Sequence, residues 1–152
     1  MAADSNSINQ VRSILSNMRT ASLGTLASDG SPFLSLVTIA PTSELQSVML
    51  LSGLAVHTRN LQQDERCSLL LVEPGGEDGN PLAGARLTLT GRAVCLDRSE
   101  DADKRAAFLT VHPEAAMYAD FGDFTIWCFE LEAAHLVAGF GRIVSVCADD
   151  LR

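Results

Sequence analysis

Short apolar segments of strand length, separated by turn-forming residues, recur along most of this chain. The clearest begins at Arg86, where Leu87, Leu89, Gly91 and Ala93 alternate with polar residues. This period of two is typical of a strand with one buried and one exposed face. Strands are predicted over residues 21–27, 33–40, 47–52, 67–72, from 86 onward, 124–132 and 135–146, the last broken around Gly139-Phe140-Gly141. Six or seven short, mostly hairpin-connected strands favour an antiparallel barrel or sandwich over a parallel α/β sheet.

Helical patterns flank these strands at two places. Ser7 is a plausible N-cap for a first helix over residues 7–19, in which Ile8, Val11, Leu15 and Met18 form one apolar stripe. Further helices are predicted near residues 98–120, where acidic residues precede an apolar run and a proline follows. With no internal repeat and no linker, residues 1–152 are expected to form a single domain, with the barrel over 20–148. The segment 73–81, rich in Gly, Pro and acidic residues, is expected to be an exposed and mobile loop.

Charge and hydropathy exclude several functional classes. The 152 residues carry a formal net charge of −8, so nucleic acid and anionic lipid surfaces would repel the protein. Apolar runs such as Val48–Leu51 have strand length, and the polar amino terminus lacks the features of a signal peptide. We therefore expect a cytoplasmic protein without a membrane partner. The four cysteines are far apart, with no histidine at ligand spacing, and predict no metal site.

A polar corner follows the third predicted strand, from Ser52 to Leu61. It contains Ser52, His57, Thr58, Arg59 and Asn60 and leads into a short helix. Positive charge, several donors and the free N–H groups of a helix start suit a phosphate ester. An ordinary capped helix with solvated polar residues explains the same residues, and spacing alone does not decide between the two.

Other polar residues leave similar alternatives open. Arg86 and Thr88 could reach the same ligand or could lie on the solvated outside of a barrel. Ser35, Val37 and Thr38 could line a ligand, or could simply suit a strand. His112 and His135 are expected to be structural. The sequence offers no candidate constellation for hydrolytic catalysis and contains no G-x-G-x-x-G loop or P-loop.

Seven ordered sequence blocks between about Met18 and Arg142 resemble the pyridoxamine-phosphate-oxidase-related, FMN-binding split-barrel family, and the haem-utilisation flavoprotein branch in particular. The blocks are Gly24-Thr25-Leu26-Ala27, Asp29-Gly30-Ser31-Pro32, Ser52-x-Leu54-Ala55-x-His57-Thr58-x-Asn60-Leu61, the run from Leu82 to Gly91, His112-Pro113-x-Ala115, Phe121-Gly122-Asp123-Phe124 and Gly139-Phe140-Gly141-Arg142.

The resemblance implies a six-stranded antiparallel split barrel with flanking helices that forms a homodimer and binds FMN in grooves between the subunits. It implies that Ser52, His57, Thr58 and Asn60, assisted by Arg59, hold the flavin phosphate. It places the second strand, with Ser35, Val37 and Thr38, along the isoalloxazine ring and Arg86 near the polar edge of that ring.

The chain departs from the vitamin B6 oxidase of this family, because basic residues of that enzyme are replaced by Ser35, Ala40 and His57. Pyridoxamine phosphate is therefore not the expected substrate. The leading hypothesis is an FMN-dependent oxidoreductase that acts on an unidentified small molecule. The alternatives are a non-catalytic flavin- or haem-binding protein and a haem-degrading enzyme. Haem degradation ranks lower here, since the haem-utilisation relatives often carry an additional C-terminal domain and this chain stops soon after Arg142.

Overall fold

A computed structural model of the chain describes residues 3–42, 46–75, 78–139 and 141–152. Three α-helices are present among these residues, α1 (Ser5–Asn17), α2 (Val56–Gln63) and α3 (Ala102–Val111). Eight strands are β1 (Thr20–Leu26), β2 (Pro32–Thr38), β3 (Ala40–Pro41), β4 (Ser47–Ser52), β5 (Arg66–Val72), β6 (Arg86–Cys95), β7 (Phe124–Val137) and β8 (Ile143–Cys147). Short 3-10 turns lie at Arg98–Glu100, Pro113–Met117 and Ala148–Leu151.

All eight strands join one antiparallel sheet in the order β2-β1-β5-β6-β7-β4-β3, with β8 paired to β7. The 14-residue β7 pairs with β4 through its first half and with β8 through its second. Opposite it, the register on β6 shifts between Thr90 and Gly91. A bulge of this kind bends a strand and helps a sheet to curl. The predicted antiparallel split-barrel fold is confirmed, although its described part has eight strands rather than the expected six. Strands β2 and β4, near opposite ends of the strand order, border its open seam.

The core fills the concave side of the sheet. Leu87 and Leu89 of β6 are fully buried, as the alternation predicts, and Leu23 of β1 and Met49 of β4 join them. Helix α1 closes this core with its own apolar stripe, which includes Val11. A second apolar cluster lies beneath α3 around Phe108. Residues of β2 and β4 belong to these two clusters, and their packing holds both strands in place.

Several predicted boundaries were wrong. Asp4, rather than Ser7, caps α1, since its carboxylate accepts the Ser7 backbone N–H at 2.7 Å. A separate strand does not begin at His135, because β7 continues through it to Val137. Gly139 and Gly141, with positive φ, lie just beyond, while Phe140 falls outside the described residues. The expected mobility of the 73–81 loop stays a prediction, because residues 76 and 77 are also not described.

The longest helix in the described part of the chain is α1, with 13 residues. None of the helices described combines the length and the apolar character that crossing a bilayer requires.

Candidate functional site

A cavity of about 290 Å³, which we call the seam cavity, lies where β2 faces the end of β4. Helix α2 and the start of β7 complete its walls. Its lining residues are Leu36, Val37, Thr38, Leu50, Leu51, Ser52, Ala55, His57 and Phe124. Four of the nine residues predicted to contact a cofactor therefore meet here, although they come from β2, β4 and α2.

His57 is the titratable side chain among these lining residues. It occupies the first turn of α2 and is half-buried. Burial lowers the pKa of its imidazole, which favours the neutral ring at neutral pH. Its Nδ1 lies 3.0 Å from the hydroxyl of Ser35, whereas Nε2 makes no hydrogen bond to the described residues. With the proton on Nδ1, the Nε2 lone pair is free to bind a ligand or a metal.

Ser35 was predicted to contact the cofactor directly, and the structure gives it an additional role. It lies on β2, two residues before buried Val37 and on the same face of the strand. Through its bond to Nδ1 it fixes the orientation of the His57 ring. A histidine that binds a metal commonly has its second nitrogen held in this way.

Thr58 and Asn60 follow on α2, and both are buried, at 1% and 7% exposure. Asn60 donates from Nδ2 to the hydroxyl of Thr25 on β1 at 3.0 Å, so this amide ties α2 to the sheet. The Thr58 hydroxyl has no hydrogen-bond partner in the described part of the chain. A buried hydroxyl without a partner is unfavourable and calls for an explanation, such as a bound water, an ion or a functional role.

Ser52, at the end of β4, already forms a hydrogen bond with Asp123. Its hydroxyl donates to the Asp123 carboxylate at 3.0 Å and accepts the Leu54 N–H at 3.1 Å. A carboxylate beside the corner disfavours a phosphate dianion there. Arg59, the cation in this corner, is exposed on α2.

Arg86 is not brought to the seam cavity of its own chain. It begins β6, which is separated from β2 in the sheet by β5 and β1. Its guanidinium donates to the Leu82 carbonyl at 2.9 Å. A contact between Arg86 and a cofactor would need a groove between two copies, and it stays a prediction.

The two remaining histidines differ in accessibility. His112 is buried, with Nε2 3.0 Å from the Ile39 carbonyl and Nδ1 3.6 Å from the Glu114 carboxylate. Its Nε2 is thus occupied within the fold. His135 is exposed on β7, with Nδ1 3.2 Å from the Ser145 hydroxyl.

Several lining residues were not predicted from the sequence. Leu36, Leu50 and Leu51 looked like ordinary strand residues, whereas Ala55 belongs to the Ser52-x-Leu54-Ala55 part of one resemblance block. Phe124 had a signal, because it ends the Phe121-Gly122-Asp123-Phe124 block. Together they give the cavity an apolar wall opposite its polar corner, which is the usual composition of a site for a flat organic molecule.

Larger cavities lie elsewhere but lack these features. One of about 560 Å³ lies between β7 and the carboxyl-terminal turn, and its lining includes Gln46, Glu130, Glu132 and Arg152. Gln46 follows residues 43–45, which the structure does not describe. Another, of about 420 Å³, lies beside Cys67, where burial raises the thiol pKa to about 12. Neither contains a predicted site residue.

Comparison with known proteins gives one family match that covers almost the whole chain. The model of the family described as "CREG, beta-barrel" matches residues 3–151.

Two curated relatives carry haem oxygenase names. The chloroplast heme oxygenase HOZ of Arabidopsis thaliana is 32% identical over 140 residues, which is 91% of this chain and 42% of that protein. The heme oxygenase HutZ of Vibrio cholerae is 26% identical over 152 residues, 93% of this chain and 82% of that protein. The chain thus spans about two fifths of the length of the chloroplast relative.

Solved structures agree with the fold. A heme-binding protein from Mycobacterium smegmatis superposes with a TM-score of 0.89 at 33% identity, covering 99% of this chain and 61% of that one. A pyridoxinephosphate-oxidase-family protein from Clostridium acetobutylicum gives a TM-score of 0.71 at 14% identity, covering 99% and 100%, and supports the fold alone. The resemblance to the split-barrel family and its haem-utilisation branch is confirmed.

Proposed function

This chain belongs to the CREG β-barrel family, and from that premise we propose that it binds haem at the seam cavity and degrades it when oxygen and a reductant are supplied. The environment of His57 is the main support for this proposal. Its imidazole is half-buried and held by Ser35, and it has a free Nε2 at an apolar wall. The names of its relatives support haem as the ligand, and the geometry supports the location.

The cavity fits an edge of haem rather than the whole molecule. At about 290 Å³ it lies at the lower limit for a small-molecule site. Exposed apolar side chains continue from it, since Leu36 is 77% exposed, Leu54 78% and Phe121 57%. These residues would cover one face of the porphyrin beyond the cavity, and His57 would face the iron.

His57 must be neutral to bind iron, because a protonated imidazole has no free lone pair. Burial lowers its pKa and keeps the neutral form available at physiological pH. A bound haem supplies the iron at which oxygen is activated, and the electrons come from an external reductant. The protein itself would orient the ring, exclude water and hold the proton of Nδ1 against Ser35.

A homodimer would complete the site, as the resemblance implies. The outer face of the sheet carries exposed apolar side chains on strands β2, β5 and β8, which are Leu34 (73%), Val72 (52%) and Ile143 (64%). Exposed apolar side chains gathered on one face commonly mark a contact with another chain. Leu34→Glu is expected to convert a dimer to a monomer in sedimentation velocity, whereas Met117→Glu, at an equally exposed site off the sheet, is not. A monomeric wild-type protein would refute this part.

Haem titration tests the main proposal. Wild-type protein should give a Soret band that saturates at a fixed stoichiometry, and His57→Ala should shift that band and weaken binding. His135→Ala is the matched control, because His135 also has one nitrogen bonded to a serine but lies outside the seam cavity. Absence of a Soret band in the wild type would exclude haem binding. An unchanged spectrum in His57→Ala would exclude His57 as the iron ligand.

FMN is the second candidate, and one observation favours it. The orphan hydroxyl of Thr58 lies in the first turn of α2, where N–H groups and the helix dipole suit a phosphate. Thr58, His57 and Arg59 would hold the phosphate, and Val37 and Thr38 would lie along the flavin ring. FMN would supply electron transfer between a reduced donor and a small acceptor.

We rank FMN second because the corner is poorly charged for a dianion. The Asp123 carboxylate already occupies Ser52, and the Asn60 amide already binds Thr25. Titration of the protein with FMN, monitored by flavin fluorescence, decides whether FMN or haem is the better candidate. Quenching that saturates in wild type and is lost in Thr58→Val would favour the flavin, whereas no quenching would exclude it.

A further inference from the structure

Four backbone carbonyls of the segment from Ala119 to Phe124, between the Pro113–Met117 turn and β7, are contacted by one guanidinium. Arg98, in the 3-10 turn before α3, donates to four backbone carbonyls of this segment. The acceptors and distances are Phe124 at 2.9 Å, Phe121 at 3.1 Å, and Ala119 and Asp120 at 3.4 Å each. Backbone bonds within the segment itself are local turns, such as Phe124 N–H to Phe121 O at 3.1 Å.

The same segment forms one border of the seam cavity. The ring of Phe124 lines the cavity and packs against Tyr118 at 4.8 Å and Phe121 at 6.4 Å between ring centroids. Next to it, the Asp123 carbonyl accepts the Gly53 N–H at 2.6 Å. The carboxylate of Asp123 accepts the Ser52 hydroxyl at 3.0 Å. The segment therefore holds the corner from which α2 and His57 start.

Arginine suits this arrangement because its planar fork presents five N–H donors in fixed directions. Nη2 contacts three of the four carbonyls and Nη1 contacts the fourth, so a lysine, with one nitrogen and three N–H donors, keeps the charge but cannot reproduce this two-nitrogen set of contacts. Arg98 is exposed, so water can replace it at the carbonyls when it is removed. Its loss should therefore free the segment with little effect on global stability. Arg105 anchors only the start of the segment, where it donates to the Ala119 carbonyl.

We propose that Arg98 is a positioning residue for the seam cavity. It fixes the segment 119–124, and through Asp123 and Phe124 it sets the distance between the β4–α2 corner and the apolar wall. The effect on ligand binding rests on the proposed haem function. The effect on the corner does not.

The first experiment needs no ligand. Arg98→Lys should speed hydrogen exchange of the Gly53 amide by about ten-fold, because this amide donates to Asp123. Arg12→Lys is the control, because Arg12 also donates two guanidinium hydrogen bonds to a carbonyl, that of Leu151, but lies away from the cavity. Both variants should melt within a few degrees of each other. An unchanged Gly53 exchange rate in Arg98→Lys would overturn the positioning role, whether or not haem binds.

The second experiment measures haem affinity in the same variants. Arg98→Lys should weaken binding by about five-fold, the loss expected for about one net hydrogen bond, and should broaden the Soret band. Arg12→Lys should leave both unchanged. Faster Gly53 exchange with unaltered haem affinity would reduce Arg98 to a purely structural residue and overturn the proposal. If the wild type binds no haem, the proposed function fails, and Gly53 exchange alone decides whether Arg98 positions the corner.

Discussion

Replacing Thr58 by valine should stabilise the protein in the absence of ligand. The hydroxyl is buried at 1% exposure and has no partner among the described residues. Burial of a hydroxyl without a hydrogen bond costs about 1–3 kcal/mol in protein mutational data. Valine keeps the shape of threonine and has a similar helix propensity, so the substitution removes this cost without opening a cavity. We expect the free energy of unfolding to rise by about 1 kcal/mol.

Thr25→Val is the matched control for this prediction. Thr25 is equally buried, but its hydroxyl accepts the Asn60 amide at 3.0 Å. Valine at this position leaves the Asn60 N–H without an acceptor, which costs about 1–3 kcal/mol. The two variants make the same chemical change and should move stability in opposite directions.

Urea unfolding followed by tryptophan fluorescence measures both variants, because Trp127 is buried in the core. The midpoint should rise in Thr58→Val and fall in Thr25→Val, with the slope unchanged. A fall of 1 kcal/mol or more in Thr58→Val would show that its hydroxyl has a stabilising partner. The Thr58 hydroxyl would then have a hydrogen-bond partner within the protein and would give no reason to place a ligand at the start of α2.

Three further predictions test the fold and the site. Gly91→Ala should lower the free energy of unfolding by about 3 kcal/mol or more in urea melts, because a Cβ there would lie 2.0 Å from the Glu130 carbonyl oxygen. A near-neutral effect would show that β7 does not lie this close to Gly91. Arg105→Met should cost about 3–5 kcal/mol by the same assay, since it strands the buried Asp101 carboxylate; a stable variant would show that Asp101 is solvated. Folding lowers the pKa of His57, so the unfolded chain binds the proton more readily, and stability should be lost as the pH falls through about 6.5. His57→Gln should flatten this part of the plot of unfolding free energy against pH. An identical plot for the variant would contradict the burial of His57.

Much of the fold was readable from local patterns. The alternation around Leu87 and Leu89 predicted β6 and its buried face, and both residues are fully buried. Boundaries were harder where two capping residues compete, as Asp4 and Ser7 do at α1. The continuous β7 was missed because its neighbours change along its length, from β4 to β8, and this depends on the tertiary arrangement rather than on local sequence.

The candidate site was only partly predictable. The polar residues of the β4–α2 corner were identified as a group, but the sequence could not show that Asn60 points to Thr25 whereas Thr58 has no partner. Nor could it show that Ser35 holds His57, because the two are 22 residues apart. Such contacts arise only when the sheet curls. That residues 1–152 form one cofactor-binding domain, and that the protein is cytoplasmic, stay predictions.

If the proposed function is correct, haem binds at the seam cavity with His57 facing its iron. A crystal structure of the haem-loaded protein, with data collected at the iron absorption edge, would show where the iron lies. We predict an anomalous peak within bonding distance of His57 Nε2, with the porphyrin edge between β2 and Phe124. An iron peak on the outer face of the sheet beside His135, with the seam cavity empty, would contradict it.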